Sequence, residues 1–201
     1  MSPPPDTPPP GAAHPGDDSD VVRPAPKPLR HGPEGDVAVF GADEQSAATV
    51  DVDRWVTLAR EVLVAEGVRG EAELSLLFVD EASIAELNKR FMASDGPTDV
   101  LAFPIDDPVV SGRWPDGGTS GPDRDEPEPG DLPLLLGDVV VCPAVAERQA
   151  PAHAGSYDDE LALLVVHGVL HVLGHDHAEP AEAAVMQERE RALLDRFHHR
   201  R

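Results

Sequence analysis

Apolar and polar positions follow two rhythms along this chain, and the switches between them mark its elements. Residues 37–40 (VAVF) form a short apolar run that reads as a strand near the start of the ordered part, around Asp36. From Asp51 to Val68, Trp55, Leu58, Ala59, Val62 and Leu63 recur at helical spacing on one face, with Gly67 and Gly70 closing the helix; Trp55 is thereby a core residue. Residues 72–80 (AELSLLFVD) predict a strand. Residues 81–91 (EASIAELNKRF) predict a helix with Ile84, Leu87 and Phe91 facing inward and Asp80 as its N-cap. Two more strands are expected at 97–104 (PTDVLAFP), bracketed by prolines, and at 134–143 (LLLGDVVVCP), interrupted by Gly137 and Asp138. A short helix at 143–150 stops at Pro151. A second begins at Glu160, and a third spans 182–197 with Val185, Leu193, Leu194 and Phe197 as its apolar positions. Strand, helix, strand, helix, two strands and then helices is an α+β order, a mixed sheet with helices on its faces.

Composition removes two stretches from this domain. Residues 1–35 are dense in proline and nearly free of large apolar side chains, so they cannot bury enough surface to offset ordering entropy and are expected to form a disordered tail. PxxP-like spacing in it would suit a polyproline-II ligand. The tail lacks the basic start and apolar core of a signal peptide, and no apolar run reaches membrane-spanning length. Residues 106–131 are rich in Gly and Pro and hold eight acids against two bases, which predicts a surface loop with Trp114 as its one large aromatic residue. The rest, within 36–201, reads as one domain. A single cysteine, Cys142, excludes an internal disulfide and agrees with a reducing, cytoplasmic setting; after three valines it reads as a buried strand residue rather than a reactive thiol.

Chemistry concentrates in residues 160–177, ELALLVVHGVLHVLGHDH, where four of the nine histidines fall within eleven residues. His167 and His171 are one helical turn apart and project from one face, while Leu161, Leu164, Val165 and Leu173 supply the stripe that buries the helix. Gly174 offers a helix stop, because glycine enters the left-handed conformation without steric cost. His175 continues the i, i+4 ladder only if the helix runs on through Gly174, whereas His177 suits a chain that turns there and swings back, and the turn favours His177. Two imidazoles on a helix and a third returning from a turn form three corners of a tetrahedron, the donor set of a zinc ion that keeps one position open for catalysis.

HGVLHVLGHDH resembles the zinc signature of the YbeY family of bacterial ribosomal-RNA maturation factors, H-G-x-L-H-L-x-G-Y-D-H, with His175 where tyrosine is usual and Val172 where leucine is usual. Residues 87–104, LNKRFMASDGPTDVLAFP, resemble a second signature of that family, and 136–143, LGDVVVCP, a third. The resemblance spans roughly residues 36–197. It implies a four-stranded mixed sheet with surrounding helices, and a zinc site on a helix and the turn after it, with His167, His171 and His177 holding one ion. It further implies a single-strand-specific, zinc-dependent endoribonuclease acting in 16S rRNA 3′ end maturation and ribosome biogenesis. The implied partners are rRNA, the small ribosomal subunit and a basic ribosomal protein, with neither membrane nor DNA. The family's arginine is Met92 here, and methionine cannot supply a permanently charged, bidentate fork; Arg90 lies two residues away.

Charge pulls against RNA binding. The formal net charge is −22, and outside tail and loop 25 acids still face 11 bases, whereas affinity for nucleic acid rests largely on Lys and Arg neutralising phosphates. A bound zinc would reverse the sign locally. The acidic surface equally suits the alternative of a non-catalytic, zinc-stabilised assembly factor docking on a basic protein. A metal-dependent peptidase is a third reading, weakened because the glutamate that follows the first histidine in zinc peptidases is Gly168 here. Three carboxylates are candidates for general base: Asp99, Asp138 and Asp176. Asp99 also reads as turn chemistry, and Asp176 as a carboxylate orienting a histidine. Removing residues 1–34 is expected to leave the melting temperature nearly unchanged, because they bury little apolar surface; a drop of many degrees in thermal unfolding of the truncated chain would contradict this reading.

Overall fold

The computed structural model describes residues 37–105 and 133–199, so the proline-rich tail, the acidic loop and Trp114 lie outside the described residues. The elements follow in the order β1 (Val37–Asp43), α1 (Val52–Ala65), β2 (Ala72–Phe78), α2 (Glu81–Met92), β3 (Val100–Pro104), β4 (Leu134–Val141), α3 (Pro143–Gln149), a 3-10 turn (Ala150–Ala152), α4 (Tyr157–Val172) and α5 (Pro180–Phe197). The strands form one sheet in the order β1-β2-β4-β3, with β1, β2 and β4 parallel and β3 antiparallel to β4. The fold is α+β, as the strand and helix order implied, with the four-stranded mixed sheet that the resemblance implied.

Strand alternation sorts the side chains into two cores. Ala72, Leu74, Leu76 and Phe78 of β2, with Val139 and Val141 of β4, face the larger core beneath α1, α4 and α5. Val140, Leu101 and Cys142 face the opposite side and meet Ile84 of α2 and Val145 of α3. Cys142 is fully buried where β4 passes into α3, and burial pushes its thiol up. Each long helix on the way to the site starts from a side-chain cap. Asp51 accepts from the Arg54 backbone N–H, and Asp80 from that of Ser83. Ser156 accepts from Asp159 at 3.1 Å while its hydroxyl donates to the Asp159 carboxylate at 2.6 Å.

The middle of the larger core is α4. Leu161, Leu164, Val165, Val166, Val169 and Leu170 are all buried, so this is an interior helix, apolar on nearly every side. Gly168 sets how near it lies to the sheet, because a Cβ there would come within 2.5 Å of Val139 Cγ1. Gly137 plays the matching part in β4. Its φ of +149° and the closeness of the Phe103 carbonyl leave no room for a side chain where β3 crosses.

Two expectations fail at the surface. Phe91 is 53 % exposed, resting edge-on against Phe103 instead of entering the core, because β3 is the edge strand and among the described residues no further strand lies beyond it for α2 to cover. Val185 is 63 % exposed, and the buried positions of α5 are Met186, Glu190, Leu193 and Leu194. At the end of α5 the two histidines differ, with His199 half exposed and His198 nearly buried. His198 is tucked in, with Nε2 at 2.8 Å from Asp159 Oδ1 and its ring 6.2 Å from that of Trp55, which ties the end of α5 to the start of α4.

Gly168→Ala tests the helix-to-sheet approach. Alanine gains about 1 kcal/mol of helix propensity, but Val139 is a branched side chain locked in a strand and cannot move aside, so overpacking of about 1–3 kcal/mol wins. The variant should show a net loss of stability in urea unfolding.

Candidate functional site

The helix stop at Gly174 builds the site. Gly174 sits at φ +87°, its N–H donates to the His171 carbonyl at 2.9 Å, and the N–H of His175 donates to the Leu170 carbonyl at 3.0 Å. These paired bonds are the helix-ending motif that glycine permits. Asp176 then accepts from the backbone N–H of His177 at 2.6 Å and from that of Ala178 at 3.2 Å, and these bonds hold its carboxyl below the usual range. The chain is thereby folded back and the three imidazoles converge. Ring centroids lie 4.5 Å apart for His167 and His171, 4.8 Å for His171 and His177, and 5.4 Å for His167 and His177.

The donor atoms suit a metal ion. One ligand atom from each of His167, His171 and His177 lies within 4.8 Å of the others, and the Nε2 atoms of His167 and His171 are 3.1 Å apart. Tetrahedral zinc with Zn–N near 2.0–2.1 Å requires about 3.3 Å between donors. Burial, with smaller contributions from His167 and His177, pushes His171 down to about 4, so at neutral pH its ring is uncharged and has a lone pair to give. His175 takes no part. Its Nε2 lies 3.7 Å from Glu66, which also accepts from Arg189 Nε at 2.5 Å. Burial alone would raise Glu66, but the bonds from His175 and Arg189 hold it below the usual range.

Pattern reading missed the group that orients the first histidine. Glu190 of α5 is buried, with Oε1 at 2.6 Å from His167 Nδ1. A proton on Nδ1 shared with that carboxylate leaves Nε2 free to coordinate, the usual supporting shell of a metal-binding histidine. Its signal lay in the sequence: Glu190 falls on the apolar stripe of α5, four residues from both Met186 and Leu194, where a charge has no place without a partner.

A cleft of about 370 Å³ opens beside the histidines, lined among others by Asp99, His153, His167, His177, Gln187 and Glu190. Of the three candidate carboxylates, Asp99 alone is part of its wall. Asp99 Oδ1 accepts from the Val100 N–H at 2.8 Å and the Thr98 hydroxyl at 3.1 Å, so the turn chemistry is present as well. Its Oδ2 accepts from Gln149 at 2.6 Å. Asp138 alternates with Val139, which packs on α4, and is therefore directed to the other face of the sheet. Asp176 bonds the backbone of the turn rather than a ring. Neither Met92, 48 % exposed at the end of α2, nor Arg90, whose guanidinium stacks 5.1 Å from the Phe91 ring, lines the cleft. A second group of possible donors, Asp159 with His198 and His199, is accounted for by hydrogen bonds, His199 Nδ1 lying 3.1 Å from Asp195.

The family model described as Endoribonuclease YbeY matches residues 41–198, from β1 through α5. The chain belongs to the YbeY family. Curated YbeY relatives, each described as Endoribonuclease YbeY, cover most of its length. The protein of Salinispora tropica is 47 % identical over 75 % of this chain and 90 % of its own. That of Frankia casuarinae is 46 % identical over 79 % of this chain and 73 % of its own. Among solved structures, the solution structure of TM1509 from Thermotoga maritima matches at 24 % identity over 79 % of this chain and 87 % of that one, with a TM-score of 0.49, too loose a likeness to carry weight. Among the described residues no helix is long and apolar enough to cross a membrane.

Replacing Glu190 with alanine should free the His167 ring and weaken divalent-metal affinity by about 10- to 100-fold, read by competition with a chromophoric chelator. An unchanged affinity would show that Glu190 does not support the ligand set.

Proposed function

We propose that this protein is a zinc-dependent endoribonuclease that cuts single-stranded RNA, acting in the cytoplasm on 16S rRNA at its 3′ end during ribosome biogenesis. The observation that carries the reading is the convergence of His167, His171 and His177 at a cleft, with Glu190 fixing the tautomer of the first. Family membership supplies the reaction class, since the relatives are named endoribonucleases. The ribosomal target and the small-subunit partner rest on the family resemblance of the three signatures.

Zinc, when bound, supplies Lewis acidity toward a phosphate oxygen and lowers the pKa of water. The chain's own residues prepare the place. His171 contributes an uncharged ring, and Glu190 holds the His167 proton on Nδ1. The Gly174 turn brings in His177. Among Asp99, Asp138 and Asp176, Asp99 is the carboxylate positioned to take a proton from an attacking water, because it lines the cleft and Asp138 is turned to the far face. A peptidase is disfavoured at Gly168, where even a Cβ meets Val139.

Elemental analysis of protein purified without added metal should find one zinc per chain, and His171→Ala should lose both the metal and the cutting of a single-stranded RNA oligonucleotide. Zinc-free native protein would end this reading. Met92 stands outside the cleft, and among the described residues no Lys or Arg lines it to meet the developing phosphorane, so turnover should be slow in the native protein and unchanged in Met92→Arg. If zinc binds but RNA stays intact in both forms, while charge reversal on the acidic surface abolishes ribosome association, the protein is a docking factor instead.

A further inference from the structure

The cleft continues along α4 past the histidines, and its other end carries a second ordered group. Glu160, in the first turn of α4, is fully buried, yet both its oxygens are engaged. Oε1 accepts from Gln149 Nε2 at 2.9 Å, Oε2 accepts from the Ala154 N–H at 3.2 Å, and His153 Nδ1 lies 3.0 and 3.1 Å from the two. Gln149 spends its other amide hydrogen on Asp99, so one side chain ties the two carboxylates together. A stable helix start needs none of this. An apolar residue at 160 would avoid burying a charge at all, whereas the arrangement present orients one ring with care. His153 itself is more than half exposed and lines the cleft.

The carboxylate fixes which nitrogen carries the proton. With Nδ1–H donating to Glu160, the neutral ring presents Nε2 as an obligate acceptor. Glu160 precedes His167 by seven residues, two helical turns or about 10 Å, so His153 is placed to meet a nucleotide beside the one being cut. The wall between is apolar, formed by Val100, Leu163, Leu164, Ala183 and Met186, and suits a sugar or base face. The acidic groups along the cleft, Asp99 and Glu190, disfavour a phosphate there and leave a neutral hydroxyl as the better partner.

We propose that His153, held by Glu160, accepts a hydrogen bond from the ribose 2′-hydroxyl of a nucleotide flanking the cleavage point, and so contributes to the choice of RNA over DNA. A 2′-hydroxyl is the donor by which RNA is told from DNA at a given position. Glu160 and Gln149 are positioning residues, acting through the ring. The inference rests on the endoribonuclease reading above and adds a specificity element to the same cleft.

The test uses the full-length, zinc-loaded protein and a single-stranded RNA oligonucleotide, with 2′-deoxynucleotides substituted one position at a time. The native protein should lose roughly five- to tenfold in kcat/KM, mostly through KM, at one flanking position, the scale of one hydrogen bond. His153→Ala should be slower on all-RNA substrate by a similar factor and blind to deoxy substitution there, with zinc content unchanged by elemental analysis. Glu160→Gln should behave in the same way provided thermal unfolding shows it folded, and the exposed His153 variant decides the matter if it is not. An identical deoxy profile in native and His153→Ala proteins would overturn the proposal. Should the native protein cut no RNA at all, the endoribonuclease reading fails first. The subsite is then judged by fluorescence anisotropy with RNA and DNA oligonucleotides of one sequence: loss of an RNA preference in His153→Ala upholds it, and no difference between the proteins refutes it.

Discussion

The site depends on how closely α4 lies on the sheet. With Gly168 against Val139 the helix can sit in the middle of the fold, and its other faces are then available to α1 and α5. An interior helix is normally a poor place for polar chemistry, since every ring or carboxylate buried on it must find a partner. Here the histidines emerge only in its last two turns, just before Gly174 ends the helix and lets His177 return. The same closeness that buries the helix therefore confines the donors to one end of it and gives them a rigid base.

Two buried glutamates share a logic at opposite ends of the cleft. Glu190 aims at Nδ1 of His167 and Glu160 at Nδ1 of His153, and in each case the opposite nitrogen is left for the cleft. Carboxylates so placed cost desolvation that hydrogen bonds only partly return. Their use is orientation, because an imidazole that could rotate or exchange tautomers would offer its lone pair only part of the time.

Much of this was legible in residue order. The strand at 72–80, the helical spacing around Trp55, the cap at Asp80 and the turn at Gly174 all follow from local chemistry, and the same turn is the ground for preferring His177 to His175. What escaped was set by distance along the chain. Phe91 and Val185 sit on periodic positions, but whether an apolar residue is covered depends on which strand lies at the edge and how α5 is rolled. Glu190 reaches His167 across 23 residues, and Gln149 joins Asp99 to Glu160 through a contact between separate elements. A charge on an apolar stripe announces that a partner exists without saying where, and only the packing supplies it.

The place of α5 has a consequence for the order in which the centre matures. This helix brings Glu190 to His167, His198 to Asp159 and Arg189 to Glu66, and so touches the histidine helix near its end and at its start, and α1 just past its last residue. All three imidazoles precede it in the chain. On a growing polypeptide the histidines are therefore synthesised first, while the carboxylate that sets the tautomer of His167 arrives only when α5 docks. The last helix acts as a clasp on the histidine cluster, and the cluster gains its buried carboxylate partner only when that helix packs.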